Sequence, residues 1–78
     1  MDEPSLEDLV GEVLAVDPGE LTDDSGPLTM EAWSSLKHLE LVVALEEAFG
    51  VSLSRADIVA MRSMADIRAM LVGKGAVR

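Results

Sequence analysis

A chain of 78 residues without cysteine has neither a disulfide framework nor thiolate metal ligands, so one small domain must stand on its hydrophobic core. Fifteen Asp and Glu against six Lys and Arg give a net charge of −9, which repels phosphate backbones and argues against direct nucleic-acid binding, while positively charged partners are steered in. No apolar run reaches membrane-spanning length, and Met1-Asp2-Glu3-Pro4 lacks the basic-then-apolar order of a secretory signal, so a cytoplasmic protein with no membrane partner is expected.

Apolar residues make up 49% of the chain, yet there is one Trp, one Phe and no Tyr. The core is therefore built from Leu, Val, Ile, Met and Ala, a palette that favours helices because Leu, Met and Ala lose little side-chain entropy there. Ser5 followed by Asp8 is the acidic form of a capping box and opens the first predicted helix. Leu6, Leu9, Val10, Val13 and Leu14 then form one apolar stripe. The helix should stop near Val16, because Pro18 disfavours helical dihedrals at Asp17 and Gly19 follows.

From Asp17 to about Trp33 no period is visible, and Pro18, Gly19, Asp23, Asp24, Ser25, Gly26 and Pro27 supply turn chemistry. Leu21, Leu28, Met30 and Trp33 are spaced through this stretch as pegs that pin a long loop to the helices. A short helical turn fits Thr29 to Ala32. The carboxylates invite a calcium reading, but an EF-hand loop needs Gly at its sixth position and Glu at its twelfth. Counting from Asp17 puts Thr22 and Leu28 there, and counting from Asp23 puts Leu28 and Ser34 there, so neither register works.

The strongest helical signal begins at Ser35. His38, Leu41, Val42, Leu45 and Phe49 form an inward stripe, while Lys37, Glu40, Ala44 and Glu47 lie opposite, flanked by Val43 and Glu46; Gly50 suits the left-handed residue that ends a helix. Ser54 with Asp57 opens a short helix through Ile58 and Val59, with Met61 as its furthest extent. Ser63 with Asp66 opens a last one, with Met64, Ile67, Met70 and Leu71 facing in and Gly73 ending it. The expected fold is all-α: a four-helix bundle with a short third helix and a long first loop, one domain spanning 1–78, monomeric, with an ordered core of about 4–73 and a frayed tail over 74–78.

The residues offer little catalytic chemistry. His38 is the only histidine, and a lone His beside an apolar stripe is ordinarily a satisfied structural residue. A Ser35–His38 pair would meet on one helical turn, but no third group or oxyanion hole accompanies it. No glycine-rich phosphate loop is present, and the methionines sit at core-like spacing. What the Ser34–Ser35 junction does offer is a hydroxyl at a helix N-terminus, where unpaired N–H groups favour a phosphate. By local pattern alone, two readings stand: an attachment point, or a pair of serines that only cap a core helix.

Ser35-Leu36, then Leu39-Glu40-Leu41-Val42, Ala44-Leu45-Glu46-Glu47 and Phe49-Gly50-Val51, resemble the second helix of acyl and peptidyl carrier proteins. The likeness covers almost the whole chain, and the Trp-x-Ser-Leu-x-His-Leu run is similar to small freestanding carriers of secondary-metabolite pathways. The resemblance implies that Ser35 bears a 4′-phosphopantetheine group, installed from coenzyme A by a phosphopantetheinyl transferase. The thiol of that arm would hold an acyl or aminoacyl cargo as a thioester, such as a polyketide or nonribosomal-peptide intermediate. Cargo would come from a loading enzyme and pass to a downstream synthase or tailoring enzyme, and the chain itself would not be an enzyme. Those partners would read Ser34, Leu36, Lys37, Glu40, Val43 and Glu47. Two positions depart from the family pattern: Ser34 replaces the Asp before the serine, and Lys37 stands where carriers often have an acid. The first leaves two adjacent serines and favours the rival reading, an unmodified helical adaptor that binds a partner through its acidic second helix.

Overall fold

The computed structural model describes residues 5–76. The expected start of the core at Pro4 and the last two residues of the expected tail, Val77 and Arg78, lie outside them. Four α-helices run through the described residues: α1 Leu6–Leu14, α2 Ser35–Phe49, α3 Arg55–Ala60 and α4 Met64–Gly73. The all-helical architecture with a short third helix and a long first connection is as the apolar periods require.

Each helix starts where a serine supplies a cap. The Ser5, Ser34, Ser54 and Ser63 hydroxyls accept the backbone N–H of Asp8, Lys37, Asp57 and Asp66 respectively, satisfying one of the four orphan donors of each first turn. At α3 the box closes reciprocally, with Ser54 N donating to Asp57 Oδ2 at 2.9 Å. α1 ends at Leu14, two residues before the expected Val16. The stop is set by Ala15 at φ 59°, with Val16 N–H donating to Gly11 O at 2.9 Å and Ala15 N–H to Glu12 O at 3.4 Å. A second departure is a 3-10 turn, Pro18–Glu20, inside the stretch that shows no period; Asp17 accepts from Gly19 N–H and Glu20 returns a bond to Asp17 N–H.

The core is one cluster. α1 gives Leu6, Val10 and Leu14; α2 gives Leu41, Val42 and Leu45; α4 gives Met64, Ile67 and Leu71; Trp33 and Met61 close it from the connections. Phe49, expected in the inward stripe, is only partly buried at its edge.

The long loop is held less by side-chain pegs than by its backbone. Trp33 is 2% exposed and is the strongest peg, with Leu21 and Met30 partly buried, but Leu28 is 96% exposed and pins nothing. Instead Ser25 O accepts from Met64 N–H at 2.8 Å and Asp23 O from Ala65 N–H at 3.1 Å, so the loop satisfies the first donors of α4. Gly26 makes this approach possible, since a Cβ there would lie 2.0 Å from the Arg62 carbonyl oxygen. Arg68 of α4 adds ion pairs to Glu7 of α1 and to Asp23 of the loop.

The residues after α4 are tied down as far as they are described. Gly73 is the last helical residue, but the left-handed stop is Gly75 at φ 74°, followed by Ala76 N–H donating to Leu71 O at 2.9 Å. Lys74, read as the start of a frayed tail, pairs with Asp57 of α3 at 2.9 Å.

Candidate functional site: the N-terminal end of α2

Ser34 and Ser35 are separated by what their hydroxyls do. Ser34 is the N-cap, in extended conformation, and its Oγ accepts from Lys37 N–H at 3.2 Å while its carbonyl accepts from His38 N–H at 2.9 Å. Ser35 is the first helical residue and is exposed. Among the described residues no hydrogen bond takes up its hydroxyl, nor its backbone N–H or that of Leu36. The first turn of a 15-residue helix thus presents a free hydroxyl beside unpaired donors and a partial positive charge.

Beside Ser34 and Ser35 runs an open groove of about 800 Å³, walled by Leu28 and Met30 of the loop, Leu39 of α2, and Ile58 and Val59 of α3. Trp33 and His38 lie along it. His38 is half-buried and fully engaged: Trp33 Nε1–H donates to its Nδ1 at 3.0 Å, and its Nε2 lies 3.1 Å from Ile58 O. With Nδ1 accepting, the tautomer that satisfies both contacts carries the hydrogen on Nε2. The imidazole has no lone pair left for a metal or for the Ser35 hydroxyl. Among the described residues no group of three His, Asp or Glu is placed to hold a metal ion.

The six partner-facing residues inferred from the sequence fall on one end and one side of α2. Ser34, Leu36, Glu40, Val43 and Glu47 are exposed, with Leu36 at 65% and Val43 at 54%. Lys37 is half-buried and donates to Glu40 Oε1 at 3.4 Å, so its charge is partly turned along the helix. Leu39 was not among them, yet it is exposed and lines the groove. The signal was available: Leu36, Leu39 and Val43 repeat at i, i+3 and i+7 on the side away from the core. Glu46 is bound instead to the scaffold, accepting Leu53 N–H at 2.9 Å and so fixing the turn after α2.

Residues 4–71 match the family model described as the phosphopantetheine attachment site. The chain is 34% identical over 74 residues to the polyketide-8 synthase acyl carrier protein 2 of Streptomyces avermitilis, covering 95% of this chain and 85% of that one. It is 29% identical over 72 residues to an acyl carrier protein of Bdellovibrio bacteriovorus, covering 92% of each. The chain belongs to the acyl carrier protein family, whose members bear 4′-phosphopantetheine and carry intermediates without transforming them. It is a carrier, not an enzyme. No helix among the described residues is long and apolar enough to cross a membrane.

Proposed function

We propose that Ser35 is the residue that bears 4′-phosphopantetheine, through a phosphodiester, and that the chain presents an acyl intermediate of a polyketide-type pathway to its partner enzymes. The observation that carries the reading is the division of labour at the junction: Ser34 Oγ is committed to the Lys37 cap, and the exposed Ser35 hydroxyl is not. The residues fit the group. A phosphodiester on Ser35 would lie in the field of the first-turn N–H groups of α2, and no acidic side chain occupies that first turn. When bound, the arm supplies the thiol on which cargo is held as a thioester. The protein's own part is to hold the hydroxyl at a fixed helix end and to offer Leu36, Lys37, Glu40, Val43 and Glu47 to the transferase, the loading enzyme and the synthase. Two relatives named as acyl carriers favour acyl over aminoacyl cargo, and one of them is named for a polyketide synthase.

Intact mass after incubation with coenzyme A and a broad-specificity phosphopantetheinyl transferase tests the assignment. A gain of one phosphopantetheine is expected in the native chain and in Ser34→Ala, and none in Ser35→Ala. A gain that survives Ser35→Ala would move the site. No gain in any folded sample, with a dedicated transferase also tried, would favour the unmodified adaptor, for which the replacement of the family Asp by Ser34 speaks.

A further inference from the structure

We propose that His38 is a positioning residue, the tie that holds α3 against the Ser35 end of α2 and fixes the width of the groove beside it. Apart from Ile58, which packs partly buried against the core, α3 has few contacts to keep it in place. It is 6 residues long, and none of its residues is buried. A helix of that length is far below what is stable alone in water, so its position depends on outside contacts. Near its N-terminal end, the Asp57–Lys74 pair ties it to the residue that follows α4. On the groove side, among the described residues, the polar attachment is the one bond from His38 Nε2 to the Ile58 carbonyl, 3.1 Å across from α2.

That bond is aimed by a second one. The indole of Trp33 is 2% exposed and needs an acceptor for its N–H; it finds His38 Nδ1 at 3.0 Å, with the two rings 6.3 Å apart. Accepting the Trp33 N–H at Nδ1 places the imidazole hydrogen on Nε2, where it points at α3. A chain of two hydrogen bonds therefore links the loop residue just before the junction, the first turn of α2 and the middle of α3. His38 lies one turn beyond Ser35, so the serine's distance from α3 is set through this ring. The charged groups lining the same groove are Glu31 and Arg62, and neither bonds the imidazole. The consequence for modification rests on the assignment of Ser35; the tie itself does not.

The test compares the native chain with His38→Ala, His38→Gln and Trp33→Phe. Gln supplies one acceptor and a donor on the same side chain, so it can remake both bonds. Long-range nitrogen–proton NMR of the native chain should find the imidazole hydrogen on Nε2; finding it on Nδ1 overturns the proposal. In His38→Ala, amide exchange of the α3 residues Ile58 to Ala60 should speed up about tenfold more than that of Ile67 and Leu71 in α4, the loss of one well-formed hydrogen bond. Equal acceleration in both helices would make His38 an ordinary stabilising residue and refute the tie. Trp33→Phe keeps the aromatic packing and removes the N–H, so it should loosen α3 in the same direction and keep the test open if His38→Ala does not fold. In phosphopantetheine transfer, His38→Ala should raise the transferase's KM for the carrier with kcat little changed, and His38→Gln should restore it. An unchanged KM in a chain with loosened α3 would limit the tie to shape without consequence for recognition and overturn that part. A native chain that takes no arm on Ser35, with the exchange result intact, would fault the site assignment and leave the tie standing.

Discussion

At the scale of single residues, the two adjacent serines make opposite contributions. Ser34 Oγ satisfies a first-turn donor, so Ser34→Ala should lower stability by about 0.5–2 kcal/mol in chemical denaturation. The Ser35 hydroxyl bonds nothing among the described residues, so Ser35→Ala should leave stability within about 0.5 kcal/mol. Read with the mass experiment, this gives a crossed result: one variant is weakened yet modified, the other stable yet unmodified. Gly26 is the residue where a single carbon matters most. With a Cβ held 2.0 Å from the Arg62 carbonyl, Gly26→Ala must push the loop off the start of α4, and a loss of roughly 2–3 kcal/mol is expected by urea unfolding. Leu28 shows the opposite case. Its spacing looks like that of Trp33, but the loop turns at Gly26 by backbone bonds to Thr29 and Met30, and Leu28 is left on the outer side of the turn.

At the scale of elements, the helix ends decide where each segment stops, and two of them carry predictions. α1 ends on a non-glycine residue in the left-handed region, Ala15 at φ 59°. Ala15→Gly removes the Cβ clash but loosens the unfolded chain, and the balance should raise stability by about 0.5–1 kcal/mol, measured as a shift in the urea midpoint. α3 is bound to the end of α4 by Asp57, whose carboxyl is lowered from 3.8 to about 2, first by the Lys74 hydrogen bond and then by bonds from Ser54. A carboxyl lowered in the folded state stabilises fully above its unfolded pKa and loses that contribution as pH falls through the folded one. The Tm advantage of the native chain over Asp57→Asn should therefore be constant above about pH 5 and shrink between roughly pH 4 and pH 2. Glu7 in α1 is lowered as well, chiefly by its own backbone N–H and further by Arg68, so acid also weakens the α1–α4 tie in the same direction.

At the scale of the whole molecule, charge opposes compactness. A net −9 on 78 residues repels itself, and three of the cations are spent locally: Lys37 on Glu40, Arg68 on Glu7 and Asp23, Lys74 on Asp57. Those exposed or partly exposed pairs are individually weak, whereas the net repulsion acts over the full surface. Screening should therefore stabilise the fold, and Tm should rise as sodium chloride goes from about 10 mM to about 200 mM. A fall in Tm would mean that the Arg68 network outweighs the repulsion. The exposed Leu36, Leu39 and Val43 run along α2 within the same acidic surface.

What the sequence determined by itself is whatever depends on near neighbours along the chain. The four serine caps, the apolar stripes of α1 and α4, the glycine stop of α2 and the family likeness all follow from residues within a few positions of one another, because helix geometry brings such residues together. What only the tertiary structure decided is whatever depends on two distant segments meeting. The loop carbonyls of Asp23 and Ser25 reach the start of α4 some forty residues on, through a gap that only Gly26 fits. Trp33, His38 and Ile58 form one hydrogen-bonded line although the last stands 20 residues from the histidine. Lys74 belongs to α3 as much as to the residues around it, because Asp57 lies across from it in space. Nothing in local propensity encodes such meetings; they arise when burial of the shared core sets the helices side by side and buried or half-buried polar groups take the partners they find there.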